Sequence, residues 1–461
     1  MTLWDSGEFL AAIKTLGIPH PAGTPFYILV AECWSFLFAP VLGFARAINL
    51  FSAVATAGAC ALLASLVSRW MHSAAAGICA GVLAGVMSTV WMSATETEVY
   101  ALAMLLGVVI LYASDRCGTS DDSRWALLAA YLIGLACALH LSVLVALPAA
   151  AVLLFSERGG SFRIPRGRRF GDGRSADHSM ASLAMYAVPL FLLGASCILF
   201  MLVRARHDPA INQGNPSTWS ALWDVVTRKQ YGARAIFPRS APFYVQLGNV
   251  IQYADWQLAL GLSDAPGPSF WRTSVTLVYA ILGVFGSVKH RAADRRSWRA
   301  ILVLLLSATI GVVVYLNLKA GPSFGHGIVN EWDHEARERD YFFFFAFVSW
   351  AVWAGIGAQQ LGKRLPRWLA GLPFVVAALP IVLNWGASDR RLRAEDSGER
   401  EAALAIITPL PRNAVMFAVG DNDTYPLWYL QQVEGIRRDV TVVTIPLLSA
   451  AWYRAELARR S

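Results

Sequence analysis

Apolar stretches about 20 residues long recur along most of this chain, and their recurrence constrains the fold more than any other feature. A helix of that length rises about 30 Å, the depth of a bilayer's hydrocarbon core. No water meets backbone N–H and C=O groups inside lipid, so a spanning segment of this length must satisfy them within a helix. Spans are expected near residues 46–68, 73–92, 98–114, 125–140, 141–156, 181–203, 270–288, 300–318, 341–360 and 367–385. Composition agrees, with 56% hydrophobic and only 15% charged residues. The expected class is an all-α polytopic membrane protein with about 10 transmembrane helices.

The segment 24–40, "TPFYILVAECWSFLFAP", is apolar but short and bracketed by prolines, and charge decides whether it spans. The loop 157–180 carries six Arg against three acids, the loop 289–299 carries five Lys or Arg against one acid, and "KRLPR" at 363–367 is basic as well. Basic short loops stay cytoplasmic, so these three are assigned inside. Counting back from them also puts Arg69 inside, and it leaves residues 1–45 outside only if 24–40 lies in the membrane interface. The outer side then collects residues 1–45, the loop 93–97, the loop 204–269, the segment 319–340 and everything after 386. Acids, His, Trp and Tyr concentrate there, and so should function.

Three regions follow. Residues 1–45 form a first extracytoplasmic loop with an interfacial helix, 46–385 the transmembrane domain, and 386–461 a small extracytoplasmic α/β segment. In the last, "AVMFAV" (414–419) reads as a buried strand and "DVTVVTI" (439–445) as a second, parallel one. The helix between them is expected to be capped by Asp423 or Thr424, with Pro426 in its first turn and Gly435 as its stop. The net charge of +8 follows from basic loops and gives no reason to expect nucleic acid. Six cysteines stand singly with no paired spacing, so neither a disulfide framework nor a structural zinc site is expected. No phosphate-binding loop, GxSxG or HExxH occurs, which removes ATPase, serine-hydrolase and zincin chemistry.

Several polar clusters stand against this apolar body. Asp5 and Glu8 share a helix face at three-residue spacing. Carboxylates at a membrane boundary can act as general base, hold a cation, or simply cap the helix, with Asp5 accepting from the Glu8 amide. "IPHPAGTP" (18–25) is a rigid turn that either exposes His20 or aims it at the same pocket. Arg46 opens a span and suits a lipid phosphate, although snorkelling explains it too. Glu96 and Glu98 in "TETEVY" are expected to line a polar cavity. Arg337, Glu338, Arg339 and Asp340 crowd the start of a span, either self-paired, as Glu335 with Arg339, or binding phosphate. "GDND" (420–423) is read as helix capping rather than as a nucleotide-sugar motif.

The strings "WDSGEFLAAIKTLGIPHPAGTPFYIL", "ARAINLFSA", "TETEVYAL", "RERDYFFFFAF" and "GDNDTYPLWYLQQVEGIRRDVTVV", in this order, resemble a bacterial membrane-protein family. That family is related to the eukaryotic transmembrane O-mannosyltransferase and, more distantly, to the protein O-mannosyltransferases and the lipid A aminoarabinose transferase of the GT-C superfamily. The resemblance implies a GT-C-like fold in a bacterial inner membrane. It implies transfer of a sugar, mannose by analogy, from a polyprenyl-phosphate carrier to a hydroxyl of a protein or envelope glycan on the outer face. It gives Asp5 the role of base, Glu8 that of orienting the acceptor or tuning Asp5, and Arg46 a place near the carrier phosphate. His20, Glu96, Glu98, Arg337, Glu338, Arg339 and Asp340 fall in its donor- or acceptor-binding motifs. The family's turn reads His-Pro-Pro-Gly where this chain has Ala22, and its members carry a transmembrane helix ahead of the acidic motif, so one is expected upstream of Met1. Other readings of the same residues are a lipid-linked substrate transporter or flippase and a non-catalytic envelope assembly protein. The residues specify no divalent-metal requirement and no oligomeric state.

Overall fold

The computed structural model describes residues 4–120, 122–156, 180–232, 235–392 and 395–460. The expected basic loop 157–180 lies, but for its last residue, outside them. Eight helices among the described residues are long and apolar enough to cross a membrane, or nine counting one bent pair. Seven of the ten expected spans appear among the eight, so the multi-pass helical class stands and the tally differs in detail.

The differences have local causes. The span expected at 73–92 is the bent pair, Ala74–Val86 and Ser88–Ala94, which meet at 72°. Met87 between them is extended, and a break inside a bundle leaves backbone groups that must find partners. Here the Ser88 N–H donates to the Gln257 carbonyl at 2.9 Å, and Asn384 Nδ2 donates to the Val86 carbonyl at 2.9 Å. The spans expected at 125–140 and 141–156 are two shorter helices, Arg124–Cys137 and Leu141–Phe155, because His140 between them is extended. The eighth long helix is Pro25–Leu42.

Two helices form the centre: Val99–Ser120 is 72% buried and Asp340–Gly362 is 83% buried, against 17% for Leu183–Ala205 and 22% for Phe270–Ala293. The latter pair therefore turn apolar faces outward, as lipid-facing helices do. Gly286 packs so closely on Gly357 and the Trp353 carbonyl that a Cβ would not fit, the small-residue contact that lets membrane helices approach.

One end of the bundle gathers the basic segments. Arg296, expected in a solvated loop, is instead buried and donates to Asp115 Oδ1 at 2.8 Å, while Arg69 reaches Asp115 Oδ2 at 3.1 Å. Lys289 and Arg364 both lie over the Phe285 ring. Arg69, the 289–299 segment and the 363–367 segment thus share one end, as the charge pattern requires.

The other end gathers the remaining connections. The first helix, α1 (Ser6–Thr15), is followed by the apolar α2 (Pro25–Leu42) and the long α3 (Phe44–Met71). Length and composition alone would let α2 cross a membrane, but its contacts hold both its ends at this side. Trp34 Nε1 donates to the Ala47 carbonyl at 2.9 Å. Thr97 donates to Asn49 Oδ1 at 2.7 Å while Ser6 donates to the Thr97 carbonyl. Asn49 and Ser6 flank α2 in sequence and meet on the same loop, so α2 does not carry the chain from one end to the other.

The C-terminal segment forms β1 (Val415–Ala418) and β2 (Thr441–Thr444), paired in parallel with Val415 opposite Thr441. The first strand is not buried as expected: Val415 and Phe417 are both more than half exposed. The helix between the strands starts at Asp421 with Gly420 at its N-cap, and no side chain caps it. The expected capping by Asp423 or Thr424 therefore does not occur, and Pro426 falls beyond the first turn. Gly435 ends the helical run in the left-handed region, as expected.

Asp115→Asn should destabilise the folded protein by about 3–5 kcal/mol, because the buried Arg296 guanidinium loses its counter-charge. Thermal unfolding in detergent should show most of that loss recovered in an Asp115→Leu, Arg296→Met double variant.

Candidate active site

The acidic motif is the first turn of α1, and its two carboxylates go to different partners. Asp5 occupies the N-cap position, yet its side chain caps nothing. Instead Arg337 Nη2 donates to Asp5 Oδ2 at 2.8 Å. The Arg337 guanidinium lies over the Trp4 ring at 4.7 Å and the Tyr341 ring at 5.0 Å, a geometry that attracts a cation to both ring faces. Burial alone would raise the Asp5 carboxyl; the charges of His20 and Arg337 outweigh it and hold Asp5 below the usual carboxylate range.

Glu8 is fully buried and accepts three donors. His20 gives two of them, its backbone N–H at 2.8 Å and ring Nδ1 at 2.5 Å, and Gln213 Nε2 the third at 2.5 Å. The Pro-rich turn is thus built to bring His20 back onto α1. The Ile18 N–H donates to the Ile211 carbonyl and the Gln213 N–H to the Ile18 carbonyl, stitching the turn to the loop 204–269. Gly23, at φ +81°, packs where a side chain would strike Met201. Burial would lower the His20 pKa, but Glu8, Asp5 and Glu98 raise it to about 9, so the ring is a cation near neutrality.

A small cleft opens beside this pair, with Asp5, His20, Thr24, Glu98, His140 and Arg228 on its walls. No acidic side chain pairs with Arg228 among the described residues; its guanidinium lies over the Tyr231 ring at 5.3 Å. Four chain segments meet at the cleft, and the C-terminal segment closes on them: the Trp4 N–H donates to Asn422 Oδ1 at 3.0 Å, and Arg459 and Arg460 pair with Asp208.

The other expected residues divide. Glu98 is buried and lines the cleft, whereas Glu96 is held by Arg390 at 2.5 Å. Of the cluster at 337–340, only Arg337 contacts the acidic motif. Glu338 accepts from Tyr253 at 2.8 Å and from the Ser323 N–H at 3.1 Å. Arg339 pairs with Glu335 at 3.1 Å and donates to the Tyr341 hydroxyl at 2.6 Å, and Asp340 accepts from Thr89 at 2.5 Å. Arg339 thus holds its own segment in shape, while Glu338 and Asp340 tie it to the helices carrying Tyr253 and Thr89. Arg46 is exposed on the first turn of α3 and makes no hydrogen bond or ion pair with the acids among the described residues. Nothing local in the chain singles out Arg228, His140, Thr24 or Gln213, each a lone polar residue whose partners at the site are distant in sequence.

The helical body is of the GT-C-like fold class. A solved structure of that architecture, ArnT from Cupriavidus metallidurans bound to undecaprenyl phosphate, is similar to this chain with a TM-score of 0.56 at 12% identity, covering 98% of this chain and 87% of that one. Residues 5–161 match the protein O-mannosyl-transferase TMEM260 N-terminal domain, and residues 399–461 match the TMEM260-associated domain 2. The mouse protein O-mannosyl-transferase TMEM260 is 24% identical across 99% of this chain and 61% of its own length. The Dictyostelium discoideum protein of the same description is 20% identical across 98% of this chain and 55% of its own. This chain, which spans little more than half the length of those relatives, is similar to the TMEM260 O-mannosyl-transferases over nearly its whole length.

The His20 shift has a consequence in pH. A raised histidine stabilises the fold fully below its unfolded value near 6.5, and the contribution is lost as pH climbs through about 9. Melting temperature should therefore fall between pH 6.5 and 9 in the wild type, and His20→Gln should flatten that slope.

Proposed function

We propose that this protein moves a sugar, mannose by analogy with its relatives, from a polyprenyl-phosphate carrier to a hydroxyl of a protein or envelope glycan on the outer face of a bacterial inner membrane. The observation that carries the reading is the Asp5 carboxylate, kept ionised by Arg337 on the wall of a cleft that also holds His20 and Arg228.

In this reading Asp5 takes the proton of the acceptor hydroxyl as its oxygen attacks the anomeric carbon. The bond from that carbon to the phosphate oxygen breaks, and its electron pair leaves on the carrier phosphate. Attack opposite the leaving group inverts the anomeric configuration. Arg228, in the cleft and free of acidic partners among the described residues, takes the phosphate-facing role first considered for Arg46. Preorganised positive charge at a leaving group acts most strongly where it does not have to reorganise during reaction. Glu8 and His20 act on position: the buried pair fixes the turn against α1 and sets the His20 ring beside Asp5. The lipid tail has an apolar surface to follow, since Phe36, Leu37 and Val41 of α2 are each over 70% exposed.

Asp5→Asn keeps an acceptor for Arg337 but cannot take a proton, so transfer from a mannosyl polyprenyl phosphate should fall about 10²–10⁴-fold. Full activity in that variant would remove Asp5 as the base. Arg228→Gln should lower kcat about 10²–10³-fold in the same radiolabel assay, with the melting temperature unchanged.

A further inference from the structure

Thr24 is the N-cap of α2, a position where threonine usually turns its hydroxyl onto the helix's free amides. Here it does not: the residue sits in the left-handed region at φ 39°, and its side chain caps nothing. A β-branched residue is poorly suited to that conformation, which glycine or asparagine would tolerate better. Thr24 is only 3% exposed, its hydroxyl has no hydrogen-bond partner among the described residues, and it lies on the wall of the cleft. A buried unpaired hydroxyl calls for a partner, and one beside a cavity can take it from a ligand there.

His140, on the same cleft, is prepared in a matching way. Its Nδ1 accepts the Ser142 backbone N–H at 3.2 Å and lies 2.8 Å from the Ser142 hydroxyl. A nitrogen that accepts an amide N–H carries no proton itself, so the neutral ring bears its proton on Nε2. No hydrogen bond to Nε2 occurs among the described residues. The Tyr100 ring meets this imidazole edge-on at 5.4 Å and fixes its plane. The turn carrying Thr24 is joined to the segment carrying His140 by the Phe26 N–H, which donates to the Ala138 carbonyl at 3.1 Å.

We propose that Thr24 and His140 form a hydroxyl-reading subsite for the sugar of the donor, Thr24 Oγ1 both giving and accepting a hydrogen bond and His140 Nε2 donating one. The inference rests on the sugar-transfer reading above and adds to it the surface that distinguishes a sugar-bearing carrier from a bare one. Neither residue touches the reacting bond in this account; both hold the ring that Asp5 and Arg228 act upon.

The test is binding of two synthetic lipids, mannosyl polyprenyl phosphate and bare polyprenyl phosphate, to the full chain in nanodiscs. The wild type should bind the mannosyl lipid more tightly. Thr24→Val, which keeps the shape and deletes the hydroxyl, should weaken the mannosyl lipid about tenfold and leave the bare lipid unchanged. Thr24→Ser should behave as wild type, and His140→Phe, which keeps the contact with Tyr100, should lose the same preference. A wild-type preference that survives Thr24→Val and His140→Phe overturns the subsite and leaves the donor reading intact. Equal loss of both lipids in Thr24→Val also overturns it, assigning Thr24 to the fold alone. A wild type that binds neither lipid overturns the donor reading and the subsite with it.

Discussion

The ion pair between Asp5 and Arg337 joins residues 332 positions apart in the chain, and the organisation of this end of the molecule depends on it. It fixes the start of α1 against the segment that leads into the most buried helix of the bundle, Asp340–Gly362. It also spares two charges from lying unpaired at a partly buried site, where either alone would be costly. The aromatic faces of Trp4 and Tyr341 make the arrangement rigid, since the guanidinium is held from both sides as well as by the carboxylate. Around it each further connection at that end adds one tie: Glu8 to His20 and Gln213, Arg390 to Glu96, and Trp4 to Asn422.

Those ties explain why the charge pattern and the structure agree on which segments share an end. Lipid allows a charged residue to remain only at an end or in a satisfied pair. The sequence therefore had to sort its charges, and the sorting is legible before any contact is known. Arg69, Lys289 and Arg364 meet at one end, and the acids of residues 5–8 and 96–98 meet at the other. The same physics made the long helices legible, because a continuous apolar run has one stable answer in lipid. It failed at Met87 and at His140, where the helix breaks. A break is set by partners such as Gln257 and Asn384, which lie far along the chain and leave no local mark.

The site shows the same division. Asp5, Glu8 and His20 were legible because they are close in sequence and bracketed by turn residues. Arg337 is not separable in sequence from the charged residues beside it, and only the fold turns its side chain toward α1 while Glu338, Arg339 and Asp340 find other partners. Arg46 opens a span and its helix leaves it exposed, whereas Arg228, in a loop without periodicity, lines the cleft. The strand pair at the C-terminus was legible from its alternation with a helix, but its burial was not. Two strands make no sheet with two covered faces, so Val415 and Phe417 stay exposed.

For the transfer proposed here, this arrangement separates what must be rigid from what must be reached. Asp5 is held through Arg337 by a central helix, and His20 through Glu8 by α1 and the loop 204–269, so neither depends on a single flexible connection. The wall formed by Thr24 and His140 is different: it hangs on the start of α2 and on the break between two short helices, joined by one backbone bond from Phe26 to Ala138. A carrier arriving from the lipid along α2 would meet that wall first. Its sugar would be read there before its phosphate reached the charged side of the cleft. Discrimination would then rest on the start of α2 and the break at His140, and chemistry on groups tied more firmly to α1 and the central helix.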